Sequence, residues 1–394
     1  MKITSVDVLK CTGKSCVEGD TFITICVRIN TDEGICGFGE AGIAYGAGAD
    51  AAFGMIQNLA KFIIGMDPFD SENIWHVLQR KTFWGQGGGA IVYSGISAID
   101  IAVWDIKGKA LNVPVYKLIG GKTNTKLRAY ASQIQFDWAP VSKAMLTPED
   151  YTEATRRAVM AGFDCVKVDP LLWDPQKRFM YWKTCGLLSH QQIDIAVSRV
   201  AAVREAGGPE TDIIIELHSF TDTNTSIQLA KELEKFNIFY YEEPTQPLNP
   251  NLYRTLASKI NIPLASGERI FSRWGYRPFL EDRTLSVIQP DVCNTGGISE
   301  TKKICDMAHL YDVGVQIHIC GGPISTAAAL QIEAVIPNFI IHEHHQAALV
   351  KENCEMCKYD YQPKDGFFDV PELPGIGQEL TDEAIAEAAK VTVS

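Results

Sequence analysis

The run Ile213-Ile214-Ile215-Glu216-Leu217-His218 is short, β-branched and apolar, and it ends on ionisable side chains. The same pattern returns 26 residues on as Ile238-Phe239-Tyr240-Tyr241-Glu242, and 26 further as Pro263-Leu264-Ala265-Ser266-Gly267-Glu268. Runs of this length suit strands and are too short for helices. Between the first two, residues 225–235 carry helical apolar spacing. Strands alternating with helices imply a parallel sheet, because parallel neighbours need a crossover between them.

Working outward, similar runs lie at 126–132 and 165–169 upstream, and at 285–291, 314–318 and 338–343 downstream. Helical periodicity also fills 148–161 and 299–311. Eight candidate strands in about 220 residues imply a closed (β/α)8 barrel of the TIM type. The runs end on Lys167, Glu216, Glu242, Glu268, Asp291, His318 and Glu343. From Glu216 onward these are 23 to 27 residues apart, one β/α unit each. The 49-residue step from Lys167 to Glu216 contains an aromatic-rich insertion, 173–192, expected to serve as a lid or a subunit interface. Side chains at strand ends gather at the C-terminal mouth of such a barrel, where its chemistry takes place.

The first 125 residues read differently. Segments 2–9 and 22–30 alternate as strands, Asp32-Glu33-Gly34 turns the chain into 36–40, and 47–62 and 92–110 are helical. This is an α+β domain. Its Gly-rich 85–89 is a connection and not a phosphate loop, since no strand feeds it and no Gly-Lys-Ser/Thr follows.

The 394 residues include 36 basic and 48 acidic side chains, a net charge of −12. Phosphate contacts need concentrated Lys and Arg, so nucleic acid is a poor partner. No uncharged apolar stretch reaches the ~20 residues needed to cross a bilayer. Residues 1–14 alternate and do not form a leader, so a cytoplasmic protein is expected. The eleven cysteines are scattered; the one tight pair, Cys354 and Cys357, has no second pair for zinc and reads as reduced thiols.

Three glutamates converging on one mouth repel unless a cation lies between them, and oxygen-only ligation suits a hard ion such as Mg²⁺. Glu243 follows Glu242 and faces the other side of its strand. By the same alternation Glu216 shares a face with His218, and Lys167 with Asp169. Asp291 and His318 lie one unit apart, and a carboxylate beside an imidazole makes a general base. His342 and His344 point away from Glu343, while His76 and His309 fall outside the pattern.

These residues resemble the enolase superfamily in its mandelate racemase-like branch, across essentially the whole chain. The likeness rests on Ser97-Ala98-Ile99-Asp100-Ile101-Ala102-Val103-Trp104-Asp105-Ile106-Lys107-Gly108-Lys109, and on Pro114, Leu118, Gly120 and Gly121. It continues through Tyr241-Glu242-Glu243-Pro244, Ser266-Gly267-Glu268-Arg269, Gln289-Pro290-Asp291 and Pro374-Gly375-Ile376-Gly377. The resemblance implies a modified TIM barrel over 126–350, with a capping domain built from 1–125 and the returning tail 351–394. It implies Glu216, Glu242 and Glu268 as Mg²⁺ ligands and Asp291–His318 as a base dyad that takes a proton beside a carboxylate, giving an enediolate. Glu343 is then the residue that hydrogen-bonds the enediolate oxygen, a role that needs it protonated or water-bridged.

Within the branch, Glu216-Leu217-His218 resembles the galactonate- and gluconate-type acid-sugar dehydratases, where the histidine protonates a departing 3-hydroxyl. Arg269-Ile270-Phe271-Ser272-Arg273-Trp274 and Gly321-Gly322-Pro323 fit the same subgroup. Two departures stand out. Lys167-Val168-Asp169 replaces the Lys-x-Lys of racemases, so Lys167 is either a substrate-orienting group or a second base. Leu217-His218-Ser219-Phe220 lacks the Gly-Arg that often follows the histidine. The expected product is a 2-keto-3-deoxy acid. The alternatives are a racemase or epimerase on the same scaffold and a non-catalytic acid-sugar binder. By likeness, cap loops over the mouth make Trp84 a candidate apolar wall and Asp20 a candidate hydroxyl ligand, Asp169 is a further candidate substrate-binding residue, and copies of the chain are expected to associate into a homo-oligomer.

Overall fold

The computed structural model describes residues 1–15 and 21–394. Three antiparallel strands open the chain: β1 (Ile3–Lys14), β2 (Thr21–Thr31) and β3 (Cys36–Ala41). Helices α1 (Ala49–Ala60), α2 (Ser71–Lys81) and α3 (Ala90–Ala110) pack on one face of this sheet. α2 is a helix that apolar periodicity alone does not mark, because its Ser-Glu-Asn start and Gln-Arg-Lys end dilute the pattern. The contact between β3 and α3 is very close: a Cβ at Gly39 would lie 1.9 Å from the Ala98 carbonyl oxygen. Only glycine permits that approach.

Eight parallel strands follow: β4 (Lys126–Ser132), β5 (Cys165–Val168), β6 (Asp212–Glu216), β7 (Tyr240–Glu242), β8 (Leu264–Ser266), β9 (Val287–Ile288), β10 (Gly314–Val315) and β11 (His342–His345). They pair in sequence order, and β11 pairs back onto β4. The last gap is closed by one parallel bridge between Val315 and Phe339, so the expected run 338–343 is divided. Its first part joins β10 and its last part joins β4. The barrel is therefore closed with short strands, several of only two or three residues.

The lumen is layered as strand alternation requires. Tyr130, Cys165, Ile214, Tyr240, Ala265, Val287 and Ile341 form a single apolar plug. Two residues further along the same strands come Ser132, Lys167, Glu216, Glu242, Gly267, Gln289 and Glu343, a polar floor for the mouth. At Gly267 a side chain would run into the Gln289 backbone, with a Cβ 2.4 Å from its carbonyl.

The tail serves both parts of the molecule. β12 (Phe367–Asp369) adds antiparallel to β4, and β13 (Ala389–Val393) adds to β1 of the cap sheet. Cap and barrel are pinned by the polar residues of α3. Ser97 accepts from Gly296 N–H, Asp100 accepts from Ser299 N–H and Oγ–H, and Trp104 Nε1 donates to Ser299 Oγ. Spaced three and four apart, these three side chains share one face of the helix. Asp105, on another face, takes the Phe38 and Ile376 amides and Lys109. Among the described residues no helix is long and apolar enough to cross a membrane, and the ten described cysteines, Cys354 and Cys357 included, are free thiols.

Candidate active site

Glu216, Glu242 and Glu268 come from the ends of three consecutive strands, and one carboxylate oxygen of each lies within 4.8 Å of the others. Glu216 and Glu242 are fully buried, while Glu268, two residues beyond β8, is partly open to the mouth. Burial and the Glu216 charge push the Glu242 carboxyl well up, whereas His218 and Lys167 hold Glu216 below the usual carboxylate range despite its burial. Two buried carboxylates this close cannot both ionise without added positive charge. Glu242 Oε2 is buried with no hydrogen-bond donor, and Glu216 Oε2 has only the Lys167 ammonium, 3.2 Å away, beside it. An oxygen-only triad with an undonated oxygen is the environment a hard divalent cation completes.

The chain's own cation at this place is Lys167. Its Nζ lies 2.7 Å from Glu242, 2.8 Å from Glu343 and 3.2 Å from Glu216. These charges outweigh burial and hold the ammonium well above its ordinary range. Lys167 does not pair with Asp169, its neighbour on the strand. Asp169 accepts from His218 Nδ1 at 2.7 Å instead.

The mouth therefore carries two matching imidazole–carboxylate pairs, since His318 Nδ1 lies 2.7 Å from Asp291 Oδ2. His318 Nε2 lies 3.2 Å from Glu268 Oε2. Burial lowers both imidazoles, but the carboxylates around them prevail and raise each to about 9: Glu216 and Asp169 for His218, Glu268 and Asp291 for His318. Asp291 Oδ1 also accepts the Cys293 amide, which fixes its rotamer.

The strand-face argument for His218 needs correction. β6 ends at Glu216, and His218 sits at φ 48° in the left-handed region. It reaches the mouth because the chain turns there, with the His218 and Leu217 amides both donating to Glu216 Oε1 at 2.7 and 3.0 Å. One turn thus aims the imidazole and fixes one oxygen of the triad glutamate. Glu243, also left-handed at φ 45°, turns away from the triad and is buried against Arg269, which contacts Glu268 as well.

Glu343, expected to be protonated or water-bridged, is surrounded by donors. Its oxygens take Ser132 Oγ–H at 2.7 Å, Ile319 N–H at 3.0 Å, Gln316 Nε2 at 3.3 Å and the Lys167 ammonium. Burial raises its carboxyl, but Lys167 and His318 prevail and bring it down to about 2. It is held as a carboxylate. His342 pairs with Glu333 at 2.6 Å, and His344 packs between Phe163, Trp138 and Phe368, both away from the mouth.

Of the cap residues, Trp84 is 81% exposed and packs edge-on against Phe83, and none of the hydrogen bonds or ion pairs of the cluster involves it. Asp20 lies outside the described residues. The insertion 173–192 is folded down beside the His218 turn. Trp173 Nε1 donates to Gln135 O, Thr184 Oγ1 donates to Phe220 O, and Asp174 holds Arg178. Sequence reasoning missed Gln133 and Gln135, which follow β4 and contact His218 and Asp169. Their signal was weak: neutral amides after an apolar run, out of the charged register.

Residues 13–120 match the mandelate racemase / muconate lactonizing enzyme N-terminal domain, and residues 150–384 match the enolase C-terminal domain-like family. The chain is 34% identical over 370 residues to D-galactonate dehydratase of Pectobacterium atrosepticum, covering 92% of this chain and 90% of that one. A solved enolase-superfamily member from Salmonella Typhimurium is 54% identical with a TM-score of 0.96, each chain covered in full. The 3,6-anhydro-D-galactonate cycloisomerase of Zobellia galactanivorans is 27% identical with a TM-score of 0.83, covering 99% of this chain and 100% of that one. With both domain families matched over most of its length, the chain belongs to the enolase superfamily, in the mandelate racemase / muconate lactonizing enzyme group.

Proposed function

We propose that this enzyme dehydrates an acid sugar, a C5–C6 aldonic acid of the galactonate or gluconate kind, to a 2-keto-3-deoxy acid. The observation that carries the reading is the pair of imidazole–carboxylate dyads, His318–Asp291 and His218–Asp169, flanking one carboxylate triad. Elimination needs a base for the proton beside the carboxylate and an acid for the departing hydroxyl. Two dyads supply one of each.

Glu216, Glu242 and Glu268 would hold Mg²⁺, which supplies the positive charge that makes a proton beside a carboxylate removable. His318 Nε2 would receive that proton in the neutral form of its imidazole, which a cation's charge on the neighbouring Glu268 favours, with Asp291 stabilising the imidazolium that results. His218 Nε2 delivers a proton to the 3-hydroxyl, its Nδ1–H being held by Asp169. Lys167 orients the anionic end of the substrate as an ammonium. Glu343 keeps Lys167 in place as an ionised partner, a role that needs no proton on it.

A racemase requires a second base opposite His318. Lys167, the residue in that position, is held protonated by three carboxylates, which favours elimination over racemisation. A sugar-acid binder with no turnover would have no use for two dyads. The test is a library of aldonic and aldaric acids scored for 2-keto-acid formation with and without Mg²⁺. His218→Asn is expected to lose elimination while keeping α-proton exchange in D₂O. Loss of neither would overturn the leaving-group role, and metal and ligand binding without turnover of any acid would favour the binder.

A further inference from the structure

Past β4 the chain buries two glutamine side chains against the His218–Asp169 pair. Gln133 is left-handed at φ 71°, and the 3-10 turn that follows it carries Gln135. Their amides form a chain whose direction is fixed at one end. The Asp169 backbone N–H, which can only donate, meets Gln135 Oε1 at 3.3 Å. Gln135 must then present its NH₂ group to Gln133, and its Nε2 donates to Gln133 Oε1. This leaves the NH₂ of Gln133 facing His218, with Gln133 Nε2 3.4 Å from His218 Nε2.

That last contact is poor as a hydrogen bond in itself, at the long edge of the range. His218 Nδ1 is engaged by Asp169, so Nε2 is the nitrogen free to face a ligand. Two nitrogens at this spacing suit one oxygen that accepts from both. We propose that Gln133 recognises the leaving hydroxyl: its amide N–H and His218 Nε2 together bind the 3-oxygen of the acid sugar, and Gln135 is the positioning residue that fixes the orientation of the amide. The inference rests on the dehydration reading above.

The step balances without further reagents. The C2 proton passes to His318 Nε2, and the C2–H electrons come to form the C2=C3 bond. The C3–O bond breaks, and its electron pair takes the proton from His218 Nε2. Water departs while still accepting the Gln133 N–H. An amide that donates to this oxygen throughout lowers the charge it must carry as the bond breaks.

The test pairs two variants with two substrates in the Mg²⁺-loaded enzyme. The substrates are the aldonate that the wild type turns over fastest and its 3-deoxy analogue, which can exchange its α-proton but cannot eliminate. Gln133→Leu is expected to lower kcat for dehydration about 10-fold, the worth of one hydrogen bond to a developing charge. It is expected to weaken calorimetric binding of the hydroxylated acid and leave binding and D₂O exchange of the 3-deoxy acid unchanged. Gln135→Leu should give the same split with a smaller amplitude, which a general packing defect would not. Gln133→Asn, with a shortened amide, repeats the test should the leucine variant fold poorly. Equal losses for both acids, or no loss for either, overturn the role of Gln133 while wild-type dehydration stands. A wild type that forms no 2-keto acid from any aldonate overturns the dehydration reading, and this inference with it.

Discussion

The molecule buries two sets of carboxylates, and they are treated in opposite ways. At the seam between cap and barrel, Glu40 accepts from the amides of Gly322 and Ser325 and Asp100 from Ser299, while within the cap Asp105 accepts from Phe38 and from Ile376 of the returning tail, with Lys109 beside it. Glu40 and Asp100 thereby meet the exposed N–H groups at the starts of the helices Pro323–Glu333 and Gly297–Leu310. At the mouth, Glu216 and Glu242 face one another and share the Lys167 ammonium, and Glu242 Oε2 has no donor. The seam acids are satisfied by the fold and hold two domains in register. The triad is three carboxylates brought close together, an arrangement that could hold a metal ion.

Breaking the triad should produce the largest effect on activity and a small one on stability. Glu242→Gln removes one of the three carboxylates proposed to hold the metal and leaves a neutral side chain of the same shape beside Glu216. The expected result is about a 10³-fold loss of kcat/KM, with the melting temperature of the metal-free protein unchanged or raised. Steady-state kinetics and thermal melts read both.

Breaking one of the acids that the fold satisfies should do the reverse. Asp105→Ala leaves two buried amides and the largely buried Lys109 without their partner, a destabilisation of about 3–5 kcal/mol, measurable by denaturant unfolding. Its Mg²⁺ affinity by calorimetry should remain that of the wild type.

A gentler probe adds or withdraws the ion itself. Mg²⁺ at 100 times its Kd is expected to stabilise the wild type by about 3 kcal/mol, and chelation to reverse this. Asp105→Ala should show the same increment, and Glu242→Gln little of it.

The smallest effect concerns pH. Burial raises the Glu40 and Asp100 carboxyls to about 7 each against the amides that favour their charge. Between the unfolded pKa near 4 and the folded value, the native state binds more protons than the unfolded one. The stability these groups contribute is therefore complete at low pH and lost as pH rises through 7. Glu40→Gln should flatten part of that slope between pH 5 and 8, leaving the share due to Asp100. A melt series with the same slope as the wild type would show that Glu40 is ionised throughout.

Much of this was legible in the chain. The 23-to-27-residue spacing of Glu216 through Glu343 gave the barrel, because a β/α unit has a fixed length and brings one side chain per unit to the rim. The triad was legible for the same reason, and the oxygen-only donors pointed to a hard cation. The division of 338–345 between two neighbouring strands was not, since a continuous apolar run carries no mark of which strand it pairs with. His218 was named as facing the mouth on an argument from strand alternation that does not hold past Glu216. The left-handed turn that delivers it is stabilised by Glu216 itself.

The sequence alone determined which residues stand at the rim and of what chemical type, since local periodicity sets a side chain's height and facing along its own strand. Only the tertiary structure decided their partners. Lys167 meets three glutamates and not Asp169, Asp169 holds His218, Glu343 is an engaged carboxylate, and two unsuspected glutamines line up behind the second imidazole. Those pairings depend on how eight strands close into a ring, which brings together residues from opposite ends of the barrel. No spacing within one strand encodes the distance across that ring.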